Sequence, residues 1–119
     1  MDLGIAIVSY NTRQLTLGCL RSLAESASLG PPQVRVCIVD NASTDGSAEA
    51  ISELIAARFP EAELIVSAEN LGFARGSNLA MERLLAGSDA PRYLLLLNPD
   101  TLVPAGSLPL LVAFLDQNP

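Results

Sequence analysis

VRVCIVDNASTDGS, residues 34–47, changes character at Asp40. Its first half is apolar on both faces and rich in valine and isoleucine, the pattern of a strand buried within a sheet that is covered on both sides. Its second half is a run of turn- and cap-forming residues, as expected where a strand hands over to a helix. LGIAIVS (3–9), ELIVSA (63–68) and RYLLLL (92–97) read as three more strands of this kind. Between them lie apolar stripes at helical spacing: Thr16, Cys19, Leu20, Leu23, Ala24 and Ala27; then Ala48, Ile51, Leu54, Ile55 and Phe59; then Phe73, Ser77, Ala80, Met81, Leu84 and Leu85. Helix stops fall at Gly30-Pro31-Pro32, Pro60 and Gly87. Strands alternating with helices predict an α/β fold, a Rossmann-like doubly wound parallel sheet with helices on both faces. A chain that builds outward from its first strand and returns to the other side gives the order 3-2-1-4. Its crevice then opens between the C-terminal ends of strands one and four.

At 119 residues, half of them hydrophobic, the chain is one domain, 1–119, with enough material for a core. The net charge is −6, there is no lysine, and all seven basic residues are arginines. This balance argues against nucleic acid as a partner. Histidine is absent, which removes the usual zinc ligand, the serine and cysteine hydrolase triads and the commonest general base. Cys19 and Cys37 fall in a helix and a buried strand and read as reduced core residues of a cytosolic protein. No apolar stretch approaches membrane-spanning length, and the N-terminus lacks the basic start and cleavage site of a signal peptide.

Each strand runs into a polar loop: SYNT, DNASTDGS, ENLGFARGSN and NPDT, in chain order. In a parallel sheet these four loops share one edge, the arrangement of a ligand site at strand C-termini. In the second loop, Ser43 or Thr44 can cap the following helix, Asp45 can complement its dipole, and Gly46 is incidental. None of that accounts for Asp40, a charge emerging from an apolar strand, which could accept the ring N–H of a pyrimidine imide or of guanine. In the third loop, backbone N–H groups and Arg75 could face phosphate; alternatively Gly72 and Gly76 serve close helix packing and Arg75 is a surface residue. The fourth loop follows a run of leucines that reads as a fully buried strand. Asn98 precedes a proline and is held extended, and Pro99 cannot continue the ladder. The chain must leave the sheet there, which aims Asp100 into the crevice. Magnesium or manganese on a diphosphate needs only one or two protein carboxylates, and Asp100 suits that task; an Asp-Thr cap on a following turn is the alternative.

IVSYN (7–11), VDNASTDGS (39–47), NLGFARGSN (70–78) and LLLNPDT (95–101), in that order, resemble the N-terminal half of family 2 glycosyltransferases with the GT-A fold, in particular the rhamnosyltransferase-like branch. The resemblance runs from residue 3 to about residue 115. It implies that Ser9, Tyr10 and Asn11 line a nucleotide pocket, that Asp40 bonds the base with Asn41 beside it, and that Asn70, Gly72, Arg75 and Asn78 border the ribose and diphosphate. Asn98-Pro99-Asp100 is similar to the family's Asp-x-Asp element, with Asp100 as the metal ligand and neutral Asn98 in place of the first aspartate.

The activity implied is metal-assisted transfer, with inversion, from a UDP, dTDP or GDP sugar to a saccharide or lipid-linked acceptor hydroxyl. The cofactor is Mg2+ or Mn2+. The resemblance further implies a cytoplasmic place, with the inner face of the membrane as an alternative, and a role in cell envelope polysaccharide. None of Asp89, Asp100 and Asp116 makes a convincing catalytic base, so the chain is expected to be the donor-binding part of a longer enzyme or a truncated piece of one. A catalytically inactive nucleotide-binding module is the competing reading. Without further strands beside strand four, its edge and the apolar SLPLLVAFL (107–115) face water and invite homo-oligomers.

Overall fold

The computed structural model of the protein describes residues 1–119. Strands β1 (Leu3–Ser9), β2 (Val34–Asp40), β3 (Ala62–Val66) and β4 (Tyr93–Leu97) alternate with helices α1 (Arg13–Ser28), α2 (Ser47–Arg58), α3 (Gly72–Leu85) and α4 (Ser107–Gln117). The sheet order is β3-β2-β1-β4, with every pairing parallel. This is the predicted topology. Helices end at Ser28, Arg58 and Leu85, just before the glycine and proline residues read as stops.

The strand pleat sorts side chains between two unequal layers. Leu3, Ile5 and Ile7 of β1 and Val36 and Ile38 of β2 turn toward Leu17, Leu20 and Leu23 of α1, Ile51 of α2, and Leu108 and Val112 of α4. Ala6, Cys37 and Val39 turn the other way, toward Ala80 and Leu84 of α3. Ile5, Ile7, Leu20, Leu23 and Ile38 are wholly buried, and each such side chain stabilises the fold by about 1.5–3 kcal/mol relative to exposure. Cys19 and Cys37 are buried and unpaired, and burial first of all raises both thiols to about 11. No helix is long and apolar enough to cross a membrane.

Three sequence expectations need correction. β4 is covered on one face only: Tyr93, Leu95 and Leu97 pack against the larger layer, while Leu94 and Leu96 are exposed. The lone helix on the other side, α3, lies over β1 and β2 and stops short of β4. Leu85 is also exposed, because at 100° per residue it sits on the far side of α3 from Gly76, Ala80 and Leu84. Phe73 is on the sheet-facing side of α3, yet it is 58% exposed. It occupies the first turn, where the helix overhangs the end of the sheet.

Gly76 permits the close seat of α3. A Cβ there would lie 3.1 Å from Val8 Cγ1 and 3.2 Å from Asn41 Nδ2. We predict that Gly76→Ala lowers stability by about 1 kcal/mol: overpacking of about 1–3 kcal/mol outweighs a helix-propensity gain of up to about 1 kcal/mol. A denaturation midpoint equal to or above wild type would contradict this. Both thiols are also expected to resist a thiol-specific reagent at about pH 8 and to react fully after denaturation; rapid native labelling would show that either is accessible.

Candidate functional site

Parallel register fixes where the four polar loops emerge. Ser9, the last residue of β1, pairs with Asp40 of β2, and Asp40 in turn with Val66 of β3. On the other side the ladder ends earlier, at Ile7 with Leu97. Pro99 then leaves the sheet, and the Thr101 N–H closes a turn by donating to the Asn98 carbonyl at 3.1 Å. Tyr10 and Asn11, Asp40 and Asn41, Asn70 and Gly72, and Asn98 and Asp100 therefore share one edge of the sheet, as the sequence led us to expect.

Within that cluster the residues divide by exposure. Tyr10, Asn11, Asn70, Gly72, Asn98 and Asp100 are open to solvent. Ser9, Asp40 and Asn41 are buried and bonded internally. The Ser9 hydroxyl lies 2.9 Å from that of Thr16. Asn41 Nδ2 donates to the Gly72 carbonyl at 3.1 Å, and its Oδ1 accepts the Leu71 N–H at 3.3 Å. Asn41 thus fastens the start of α3 to the end of β2. The Asp40 carboxylate accepts the Ser43 hydroxyl at 2.6 Å and the Ser43 N–H at 3.3 Å.

The first two loops are sewn together. The Asn11 N–H donates to Ser43 Oγ at 2.9 Å, the Thr44 N–H to Asn11 Oδ1 at 2.8 Å, and the Arg13 N–H to Asp45 Oδ2 at 3.0 Å. Asn11 adopts φ 49°, a left-handed conformation that asparagine tolerates better than most residues. These contacts revise the capping expectation. Ser43 and Thr44 serve the neighbouring loop and Asp40, whereas Asp45 accepts from both the N–H and the hydroxyl of Ser47 at the start of α2. Those bonds, the Ser47 hydroxyl foremost, hold the Asp45 carboxyl below its usual range. Gly46 is not incidental either, since the turn into α2 needs its φ of 81°.

Arg75 and Asn78 stand apart from the cluster. With Leu71, Leu79 and Glu82 they line a shallow hollow of about 280 Å³ on α3, on the side away from buried Gly76, Ser77 and Ala80. Arg75 is in the first turn, near the shared edge; Asn78 is further along the helix. Asp89 and Asp116 belong to the opposite end of the sheet. Asp89 pairs with the N-terminal ammonium at 3.0 Å, and Asp116 accepts from Arg92 at 2.7 Å and from the Tyr93 hydroxyl at 2.6 Å. Arg92 above all, then Tyr93, keeps the Asp116 carboxyl below its usual range.

Sequence reasoning missed the tie between the first two loops and the exposure of Phe73. Asparagine next to an Asn-Ala-Ser-Thr loop was a signal for the tie, but only the register of β1 against β2 brings the partners together. The chemistry of the edge is acceptor-rich, with exposed amides and two exposed carboxylates, Glu69 and Asp100. No group of three or more Asp, Glu, Cys or His residues is placed to hold a metal ion by itself. A cation there would draw its other ligands from phosphate and water, as is usual for magnesium.

A family model described as glycosyl transferase family 2 matches residues 4–119. No curated protein sequence matches at a significant level. Among solved structures, S. aureus TarS 1-349 in complex with UDP-GlcNAc superposes with a TM-score of 0.80 at 20% identity, over 98% of this chain and 32% of that one. The mannosyltransferase PcManGT from Pyrobaculum calidifontis, in complex with GDP-Man and Mn2+, gives a TM-score of 0.74 at 24% identity, over 87% of this chain and 29% of that one. At these identities the likeness is one of fold, GT-A, and the chain spans about a third of the length of these structures.

Asn41→Ala removes both bonds between β2 and the start of α3, and we predict a loss of about 1–2 kcal/mol. Amide exchange at Leu71 should accelerate, while the centre of β1 stays protected apart from the global change. Unchanged exchange at Leu71 would show that Asn41 does not hold this loop.

Proposed function

This chain belongs to glycosyl transferase family 2, and on that premise we propose that it is the donor-binding part of an inverting glycosyltransferase. It holds a nucleotide-diphosphate sugar of the UDP, dTDP or GDP type across the C-terminal edge of the sheet. The observation that supports this best is the placing of two carboxylates on either side of β1. β2 and β4 flank that strand, so Asp40 and the turn bearing Asp100 begin two strand spacings apart, roughly 10 Å. A nucleoside diphosphate spans such a gap, with its base toward Asp40, Tyr10 and Asn11 and its phosphates toward Asp100. Asn70, the Gly72 backbone and the unpaired guanidinium of Arg75 border the diphosphate. Asn78, on the outer side of α3, contributes less directly. The spelling VDNASTDGS, NLGFARGSN and NPDT supports the rhamnosyltransferase-like branch and envelope polysaccharide as the product class.

The residues fit a divalent cation delivered with the diphosphate. Asp100 is exposed on a turn stiffened by Pro99 and by the Thr101 to Asn98 bond, and Asn98 adds a neutral oxygen beside it. When bound, Mg2+ or Mn2+ would neutralise charge on the departing diphosphate. Asp100 would hold that cation against the phosphates, and the exposed edge receives an acceptor hydroxyl from a saccharide or lipid-linked sugar. Deprotonating that hydroxyl needs a base. Asp89 and Asp116 are held in ion pairs at the far end of the sheet, which supports a base supplied from outside these residues. The same observation favours the second reading, a nucleotide-binding module that performs no transfer by itself.

Titration calorimetry with UDP, dTDP and GDP, with and without Mn2+, tests the proposal. One of these nucleotides should bind more tightly with Mn2+, and Asp100→Ala should remove the metal-dependent gain and leave metal-free binding in place. Absence of binding by all three, or a gain from Mn2+ that survives Asp100→Ala, would refute it. Sugar transfer by this chain alone would overturn both the donor-binding-part reading and the inactive-module reading, since each leaves the base outside these residues.

A further inference from the structure

Asp40 is 1% exposed, and its two carboxylate oxygens are unequally engaged. Oδ1 accepts the Ser43 hydroxyl at 2.6 Å, while Oδ2 has only the Ser43 N–H at 3.3 Å. The hydroxyl is itself fixed, because the Asn11 N–H donates to Ser43 Oγ at 2.9 Å. A backbone amide can only donate. The Ser43 proton must therefore point at Asp40, and the chain of bonds has one direction, from Asn11 N–H through Ser43 O–H to Asp40 Oδ1. The 2.6 Å separation is that of a well-formed hydroxyl-to-carboxyl hydrogen bond. The bond from the Thr44 N–H to Asn11 Oδ1 at 2.8 Å keeps the first member of the chain in place.

We propose that Ser43 is the positioning residue for base recognition. By engaging Oδ1, it fixes the orientation of the Asp40 carboxylate and leaves Oδ2, the less firmly bonded oxygen, to accept a ring N–H. The site then selects uracil, thymine or guanine over cytosine and adenine, whose corresponding ring nitrogen carries no hydrogen. A base at Oδ2 competes with the 3.3 Å amide bond and not with the Asn11–Ser43–Asp40 chain, which engages the other oxygen. This inference rests on the donor-binding reading above and adds to it the group that sets base choice.

The test compares UDP with CDP, and GDP with ADP, by titration calorimetry in Mn2+ on the wild type, Ser43→Ala and Ser43→Thr. The wild type should prefer the member of a pair with the ring N–H. Ser43→Ala should weaken that member roughly tenfold, the effect of losing one hydrogen bond to a charged group, and leave its partner nucleotide essentially unchanged. Ser43→Thr, which keeps the hydroxyl, should keep the preference. A merely structural serine would weaken both nucleotides alike, and an unaltered ratio in Ser43→Ala overturns the inference. Should Ser43→Ala fail to fold, amide spectra of the wild type decide: the preferred nucleotide should shift the Ser43 resonance and its partner should not, and equal shifts overturn the inference. If no nucleoside diphosphate binds the wild type, the donor-binding reading falls and this inference falls with it. If one binds with Asp100-dependent Mn2+ enhancement but Ser43→Ala leaves selectivity intact, only the role of Ser43 falls.

Discussion

Pairing of β1 on both sides, in parallel, is the constraint on which the rest of the molecule depends. It sends every strand out at the same edge, so the four polar loops meet whatever their individual conformations. It also sets the two carboxylates apart, because Asp40 and Asp100 leave from the strands that flank β1. Nearly all the fully buried aliphatic side chains serve this pairing by sealing β1 and β2 between α1, α2 and α4 on one face and α3 on the other. The site is thus a by-product of sheet geometry, refined by a small number of loop contacts.

Those contacts are short-range in space and long-range in sequence. Asn11 meets Ser43 and Thr44, and Asn41 meets Leu71 and Gly72. Each side chain satisfies backbone groups that would otherwise face water at the rim of the sheet, and each joins two neighbouring loops. Such loops are stiffened before any ligand arrives, which lowers the ordering cost of binding. The turn around Asp100 is built on a different plan, from a proline and one local hydrogen bond. The loops around Asp40 are therefore braced by their neighbours, while the turn that carries Asp100 stands alone.

Much of this was legible in the sequence. Strand positions, parallel order and the common edge followed from apolar runs that alternate with helical stripes, because burial on both faces leaves a distinct pattern. Of the two residues that strayed from the predicted α3 stripe, only Leu85 could have been placed by periodicity. Leu85 depends on the exact phase of the helix, and Phe73 on where the sheet ends beneath it. The leucines of β4 read as buried on both sides because their spelling is uniform; only the lateral reach of α3 reveals that Leu94 and Leu96 are uncovered. At the site, the types of residue were readable, but the division into exposed and internally bonded members was not. Ser9 and Asn41 look like any other polar residues at strand ends until their partners across the loops are known.

The order β3-β2-β1-β4 also bears on how the chain acquires its shape. β1 pairs with β2 across a single helical crossover, but its other neighbour is met only when Leu3 comes alongside Tyr93. During synthesis, β1 precedes the other three strands and yet is enclosed on both sides only after β4 has been made. Until the leucines of β4 emerge, a row of backbone donors and acceptors along Leu3–Ile7 remains open. Contacts so distant in sequence slow the search for the native state. The same central strand that organises the finished site is therefore the vulnerable seam of the nascent one.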